Sequence, residues 1–348
     1  GGVVDLKHPV DIDAWSRWQV RRHPVRRVRA ALVPASPRIA RLLTASQEPR
    51  VLVVLEAVKP ALTLSLIEPV LGMAEGDVAI LTTDRRAIPG FTSEAWSERE
   101  VVLGDADVVP PSVQVVLTDG FYLPLGRAVH AIAIDRGLAE LVAQHGLITP
   151  LAPPLPPGST LLAWTEADGE YWCSGRGDVD HIVVGSELLH QAAAGPPTST
   201  VNAEARPVYL GQMHGAELGR RTFARAAGEF CARTGARYRP HPSESDRLSR
   251  LVHRWMEGRG IEIDRSGAPL REVDAPVVSV FSTGVLEAAA RGIPAWVDLP
   301  RPPAWLVAFW ERYGMTRYGN DPTPAPLTGG PRPADVVATV VRDRLGEA

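Results

Sequence analysis

Short runs of consecutive apolar residues recur along the chain, separated by stretches with helical spacing. Val51-Leu52-Val53-Val54-Leu55 is the first, followed by apolar runs at 78–81, 113–117, 138–144, 161–164 and 181–184. Residues 125–136 read as a helix between the third and fourth runs. Runs that are apolar throughout, rather than at alternate positions, suit strands covered on both faces, as in parallel sheets wound with helices. The pattern then restarts. Strands are expected at 207–210, 237–240, 277–281 and 294–297, helices at 216–234, 246–258 and 284–291, and a last helix at 333–345. Between the two series lies Ala192-Ala193-Ala194-Gly195-Pro196-Pro197-Thr198-Ser199-Thr200, small, proline-containing and polar, which suits a linker. The expected fold class is α/β, with two Rossmann-like doubly wound domains facing a cleft. Residues 51–197 would form the first domain, 198–348 the second, and 1–50 an extension outside both.

Composition narrows the class. The 348 residues are 45% hydrophobic and 22% charged, the balance of a globular enzyme rather than a disordered chain. A net charge of −3 gives no reason to expect nucleic acid as a partner. Cys173 and Cys231 are too few for a disulfide framework or a cysteine-rich zinc site, which favours a reducing, cytoplasmic setting. Lys7 and Lys59 are the only lysines, a mark of GC-rich coding before any mechanism. The first residues show no basic region leading into an apolar stretch. The most apolar segment, 51–74, is interrupted by Glu56, Lys59, Pro60 and Glu68, whereas a spanning helix needs about 20 apolar residues. Residues 11–29 combine Trp15 and Trp18 with Arg17, Arg21, Arg22, Arg26, Arg27 and Arg29. A solvated helix face is the plain reading. The sharper one is a peripheral anchor at the inner face of a membrane, or on an acidic partner, through Arg21, Arg22, Arg26 and Arg27. Pro24 breaks any single long helix there.

Ligands of open parallel sheets bind beyond the carboxyl ends of the strands, so the residues after each strand carry the most information. Thr118-Asp119-Gly120 and Gln144-His145-Gly146 follow strands of the first half. Gly211-Gln212-Met213-His214-Gly215, His241-Pro242-Ser243-Glu244 and Ser282-Thr283-Gly284 follow strands of the second. Glycines admit close backbone approach, and free N–H groups at a helix start attract phosphate. Ordinary turn and capping roles compete with these readings. Ser282 is a good N-cap for the helix that follows, and capping is compatible with phosphate binding. Glu166, Asp168 and Glu170 read as a solvated helix start, and Trp305 and Trp310 as core or interface rather than ligand stackers. The chain has no phosphate-binding P-loop, nucleophile elbow or zinc-protease motif.

His241-Pro242 followed by Ser282-Thr283-Gly284-Val285-Leu286-Glu287-Ala288 resembles the second half of GT-B glycosyltransferases of bacterial surface polysaccharides. The families it is most similar to are the bacterial sialyltransferases and polysialyltransferases, the Kdo transferases and the CDP-glycerol glycerophosphotransferases. Residues 127–146, ending in Gln144-His145-Gly146, resemble the run before the His-Gly motif of that group. Thr118-Asp119-Gly120 is similar to the acidic-Asp-Gly motif of the sialyltransferases, with Thr118 where an acidic residue is usual. The resemblance spans roughly residues 51–318. It implies a cytidine nucleotide held by the His-Pro and Ser-Thr pairs, and a ribose near Glu287.

Glycosyl transfer needs a base for the acceptor hydroxyl and hydrogen-bond donors for the leaving phosphate. His145 and Asp119 are the candidate bases. His241, His214, Arg239, Ser282 and Thr283 are candidates for the nucleotide, joined by Gly146, Gln212, Pro242, Gly284 and Glu287. No acidic pair placed to hold a divalent ion beside a diphosphate is evident, so neither metal nor other cofactor is expected. The expected function is a metal-independent transferase. It would move a sugar or polyol phosphate from a CMP- or CDP-linked donor, with UDP as a further option, to a surface glycan or teichoic-type acceptor. The alternatives are a non-hydrolysing nucleotide-sugar epimerase and a binding protein that kept the fold without the chemistry.

Overall fold

The computed structural model describes residues 5–21, 38–91, 94–195 and 201–347. It comprises two compact units, one holding 5–148, 152–187 and the chain from 331 on, the other 149–151 and 188–330.

The first unit opens with helix α1 (Ile12–Arg21). Its sheet contains β1 (Ile39–Thr44), β2 (Val51–Leu55), β3 (Val78–Thr82), β4 (Ser97–Val102), β5 (Val115–Thr118), β6 (Ala139–Ala143), β7 (Thr160–Ala163) and β8 (Asp180–Val183). The strand order is β4-β1-β3-β2-β5-β6-β7-β8. From β3 to β8 all neighbours are parallel, and β1 pairs antiparallel with both β3 and β4. The apolar runs serve both faces. Val51, Val53 and Leu55 enter one core with Ile80, Leu117 and Leu141, while Leu52 and Val54 enter the other with Leu81 and Val116. Helix α2 (Pro124–Arg136) covers the second face through Leu125, Val129 and Ala133. It starts on Pro124 and stops at Gly137, whose φ of 64° is left-handed, a conformation glycine adopts without steric penalty. Helix α3 (Glu166–Trp172) follows β7.

After α4 (Glu187–Ala194), the second unit holds β9 (Val208–Leu210), α5 (Arg220–Thr234), β10 (Arg237–Arg239), α6 (Arg247–Glu257), β11 (Val277–Ser279), α7 (Thr283–Ala290), β12 (Ala295–Val297) and α8 (Ala304–Arg312). Its sheet is wholly parallel, in the order β10-β9-β11-β12. Tyr209, Tyr238 and Phe230 are fully buried at its centre. Trp310 is also core, as expected, and its indole N–H donates to the Val280 carbonyl at 2.7 Å.

The last helix, α9 (Pro333–Arg344), departs from the expected boundary at 198–348. Val337, Val340 and Val341 form an apolar stripe that packs into the core of the first sheet. Arg332 secures the entry by pairing with Glu187 and Glu68 at 2.9 and 2.7 Å. The expected extension 1–50 also needs correction. Residues 39–44 are a strand of the first sheet, with Ala40 and Leu42 fully buried. The pairing strand β4, Ser97-Glu98-Arg99-Glu100-Val101-Val102, is charged and mostly exposed, which blunts the sheet edge and hides the strand from a hydrophobic reading. Among the described residues no helix is long and apolar enough to cross a membrane.

Candidate active site

In the first sheet the chain winds from β2 to β3 on one side, then returns to β5 on the other. This reversal between β2 and β5 is where a doubly wound sheet opens a crevice beyond its strand ends. The residue after β2 is Glu56, the residue after β5 is Asp119, and Gln144-His145 follow β6. Val51 aligns with Val115 and Leu117 with Leu141, so these ends lie side by side.

Asp119 is almost completely buried. Its Oδ2 accepts the Tyr122 hydroxyl at 3.0 Å, while Oδ1 is buried without a hydrogen-bond partner. Burial raises its pKa, and the charge of His145 and the Tyr122 hydrogen bond oppose that rise. His145 Nδ1 is likewise buried and unpartnered. Buried polar atoms are nearly always satisfied, so two orphans in electrostatic contact make this strand-end pair the candidate reacting groups of the first unit. The turn is held by Thr118, whose hydroxyl donates to the Gly120 carbonyl at 3.0 Å and accepts its N–H at 3.2 Å. Thr118 is therefore a turn former, and the acid of this segment is Asp119.

Glu56 was not among the candidates read from the sequence. Its Oε1 accepts the N–H groups of Leu125 and Gly126 at 2.9 and 3.1 Å, tying it to the start of α2. Burial, helped by the charge of Asp119, raises its pKa to about 7 against those two hydrogen bonds. Tyr122 is the other addition. Its ring meets Trp15 of α1 edge-on at 5.7 Å, and Arg127 pairs with Asp13 at 3.3 Å. Trp15 is thus buried against the neighbourhood of Asp119 rather than free for a membrane interface. Arg21 is exposed at the end of α1, while Arg22, Arg26 and Arg27 lie outside the described residues.

Glu56 gives a stability test. In the unfolded chain it titrates near its ordinary value of 4.5, and in the fold near about 7. Between these values the folded state binds more protons, so stability falls as pH rises through the window. The Glu56→Gln variant keeps an acceptor for Leu125 and Gly126 but cannot titrate. Its urea-denaturation curves are expected to lose a slope on the order of 3 kcal/mol across that window. A variant as pH-dependent as the parent would contradict the assignment.

Beside His145, Gln144 is structural. Its amide nitrogen donates to Asp168 at 2.8 Å and to the Gly146 carbonyl at 2.9 Å, and its Oε1 accepts the Trp164 N–H at 2.7 Å. Asp168 is fully buried, not part of a solvated helix start, because Gln144 meets its carboxylate.

The second unit repeats the logic at its own reversal, between β9 and β11. Gln212 bridges the two strand ends, its Oε1 accepting the Ser279 hydroxyl at 2.7 Å and the Phe281 N–H at 2.9 Å. It therefore holds the loop rather than offering its amide oxygen to a ligand. Ser282 caps α7, its oxygen accepting the Gly284 N–H at 3.0 Å. Gly284 leaves room for Leu210 and Leu270, which a Cβ would strike. Thr283 opens α7, and Glu287 lies one turn on, with a carboxyl pKa raised by burial and opposed by Arg291.

His214 and His241 lie ring on ring, their centroids 3.8 Å apart. His241 Nδ1 accepts the Ser243 N–H at 3.1 Å, which leaves Nε2 as the N–H donor of the neutral ring. Desolvation lowers the pKa of His214 and so favours its neutral form. Beneath the pair, the buried carboxylate of Glu244 accepts the Met213 N–H, the Tyr238 hydroxyl and His253 Nε2 at 3.1, 2.8 and 3.0 Å. Pro242 is exposed after His241. Arg239 stands apart from this set. Its guanidinium is engaged by Asp264 at 3.6 Å and by the Ala268 carbonyl, which makes it an internal tie. No group of three or more metal-ligating side chains occurs among the described residues.

No family model matches the chain, and no curated protein does. Among solved structures it is similar to Methanocaldococcus jannaschii UDP-GlcNAc 2-epimerase in complex with UDP-GlcNAc and UDP. That likeness has 13% identity and a TM-score of 0.49, covering 84% of this chain and 99% of that one. A glycotransferase of kitacinnamycin is similar at 13% identity and a TM-score of 0.40, over 85% and 95% of the two chains. Thermobaculum terrenum O-GlcNAc transferase is similar at 13% and 0.40, over 90% and 65%. No residue role transfers at such identities. The fold class rests on the topology above: α/β, with two Rossmann-like doubly wound units in one chain.

Proposed function

We propose that the protein is a glycosyltransferase-type enzyme that works on a nucleotide-activated donor. The observation that carries this reading is the set Asp119, His145 and Glu56 at the strand-order reversal of the first sheet, with Oδ1 of Asp119 and Nδ1 of His145 buried and unpartnered. In this scheme Asp119, with His145 beside it, takes the proton of an acceptor hydroxyl as that oxygen attacks the anomeric carbon. The bond from that carbon to the donor phosphate breaks, and the phosphate departs with the nucleotide. In the second unit the His241 side chain, the hydroxyls of Ser282 and Thr283 and the Thr283 N–H at the start of α7 are hydrogen-bond donors suited to a phosphate. They would hold it without a divalent ion. The donor is a CMP-linked sugar or a CDP-linked polyol, on the strength of the His241-Pro242 and Ser282-Thr283 pairs and their likeness to the cytidine-using families. With the polyol donor the acceptor oxygen attacks the polyol phosphorus instead, and the phosphoanhydride bond to the departing CMP breaks. The acceptor is a surface glycan or teichoic-type polymer, reached from the cytoplasmic side.

One observation favours a second reading. Two neighbouring carboxyl groups, the half-buried Glu56 and the buried Asp119, also suit proton removal and return at a sugar carbon, the chemistry of a nucleotide-sugar epimerase.

Calorimetric titration with CMP, CDP, UMP and UDP tests the donor site. Cytidine nucleotides are expected to bind without magnesium, and Ser282→Ala, which also removes a helix cap, to weaken them about tenfold. Preferential uridine binding would overturn the choice of base. Failure of all four to bind would remove the nucleotide-dependent reading.

A further inference from the structure

Helix α6 is amphipathic in an unusual way. Its core-facing side is Ser249, His253 and Met256, all buried. About a third of a turn away, Leu248, Leu251 and Trp255 are 60%, 52% and 41% exposed, a continuous apolar ridge at helical spacing. Beside that ridge run Arg247, Arg250 and Arg254, also at helical spacing and exposed, none with an ion pair within 4 Å among the described residues. The nearby acids already have partners. Asp246 caps the helix and binds Arg220 at 2.9 Å, and Glu257 is met by Arg265. The Trp255 ring rests over Gly228 of α5, where a Cβ would strike it, and carries the guanidinium of Arg259 4.4 Å from its centroid. The ring is therefore fixed at the boundary between the apolar ridge and a cation.

We infer that α6 lies flat on an anionic lipid surface, with Leu248, Leu251 and Trp255 entering the acyl boundary and Arg247, Arg250 and Arg254 meeting the headgroups. Soluble monomers seldom align three large apolar side chains on one exposed helix face, and the arginine-rich flank, whose one acid Glu257 is met by Arg265, selects a negative partner. Tryptophan at the rim is the residue that settles best at such an interface. Charge complementarity favours lipid over a second copy of the chain, because two copies meeting through α6 would bring their arginines together.

Sedimentation of the full chain with vesicles tests the inference. Vesicles of phosphatidylglycerol mixed with phosphatidylcholine are expected to carry the protein down, and vesicles of phosphatidylcholine alone to leave it in solution. Leu248→Ser/Leu251→Ser should abolish the association. Arg247→Gln/Arg250→Gln should weaken it about fivefold for each arginine lost at low salt. Both pairs are exposed, and unchanged melting curves would show that they fold. Parent protein that ignores anionic vesicles would overturn the inference, as would variants that bind them as tightly as the parent. Concentration-dependent dimerisation abolished by the leucine substitutions would also overturn it, assigning the ridge to self-association.

Discussion

The Asp119→Asn variant is expected to lose about a thousandfold in turnover, the scale of a general base removed from its place. Asparagine has the same shape and still accepts the Tyr122 hydroxyl, now held at 3.0 Å. It cannot take a proton. Because burial raises the pKa of Asp119, the ionised carboxylate is a burden to the fold, and the neutral amide should melt at the same temperature or higher. Loss of activity with stability kept or gained separates a reacting group from a structural one. A variant that retains parental turnover would remove Asp119 from the chemistry and leave His145 or Glu56 as the base. Its pH profile adds a second reading, since activity in the parent should fall as pH drops and Asp119 becomes protonated.

The Gly126→Ala variant should have the largest effect on the fold for the smallest change in size. In an open helix, alanine gains about 1 kcal/mol over glycine. Here a Cβ at 126 would be driven into the backbone carbonyl of Gly120, which is no flexible side-chain end. Gly120 has a φ of 126° and is held by the Thr118 hydroxyl, so it cannot withdraw without moving Asp119. Overpacking of this kind costs about 1–3 kcal/mol, and the Gly126 N–H also loses its alignment with Glu56. The expected net result is destabilisation by about 2 kcal/mol in urea denaturation, together with loss of turnover. Gly72 has no neighbour within 4 Å of its would-be Cβ and serves as the control. Its alanine variant should behave as the parent, and equal behaviour of the two variants would refute the packing argument.

Much of the architecture is legible in the sequence because parallel strands buried on both faces leave unbroken apolar runs. Val51–Leu55 and Val78–Thr82 are examples. Strand β4 is illegible for the converse reason, since an edge strand carrying Glu98, Arg99 and Glu100 has no apolar run to show. The allegiance of α9 to the first sheet is a tertiary fact; Val337, Val340 and Val341 announce an apolar face but not the sheet that receives it. Asp119 and His145 in the first unit, and His241 and Ser282 in the second, are legible as candidates from their position after strands. Glu56 follows the same rule, standing directly after Val51–Leu55, but as a lone charge ending an apolar run it reads first as an interruption. Its weight comes from burial and from the charge of Asp119, which only the fold brings together. Arg239 shows the opposite error: a strand-end cation that the fold turns to Asp264.

The most direct test of the central reading is product analysis by NMR after incubation with CMP-linked, CDP-linked and UDP-linked donors, each with and without a bacterial surface-glycan fraction. A transferase is expected to release free nucleotide rapidly only when the fraction is present, with the sugar or polyol recovered on the polymer and the reaction lost in Asp119→Asn. Conversion of a donor to its epimer with the nucleotide still attached and no acceptor needed, or no consumption of any donor, would contradict it.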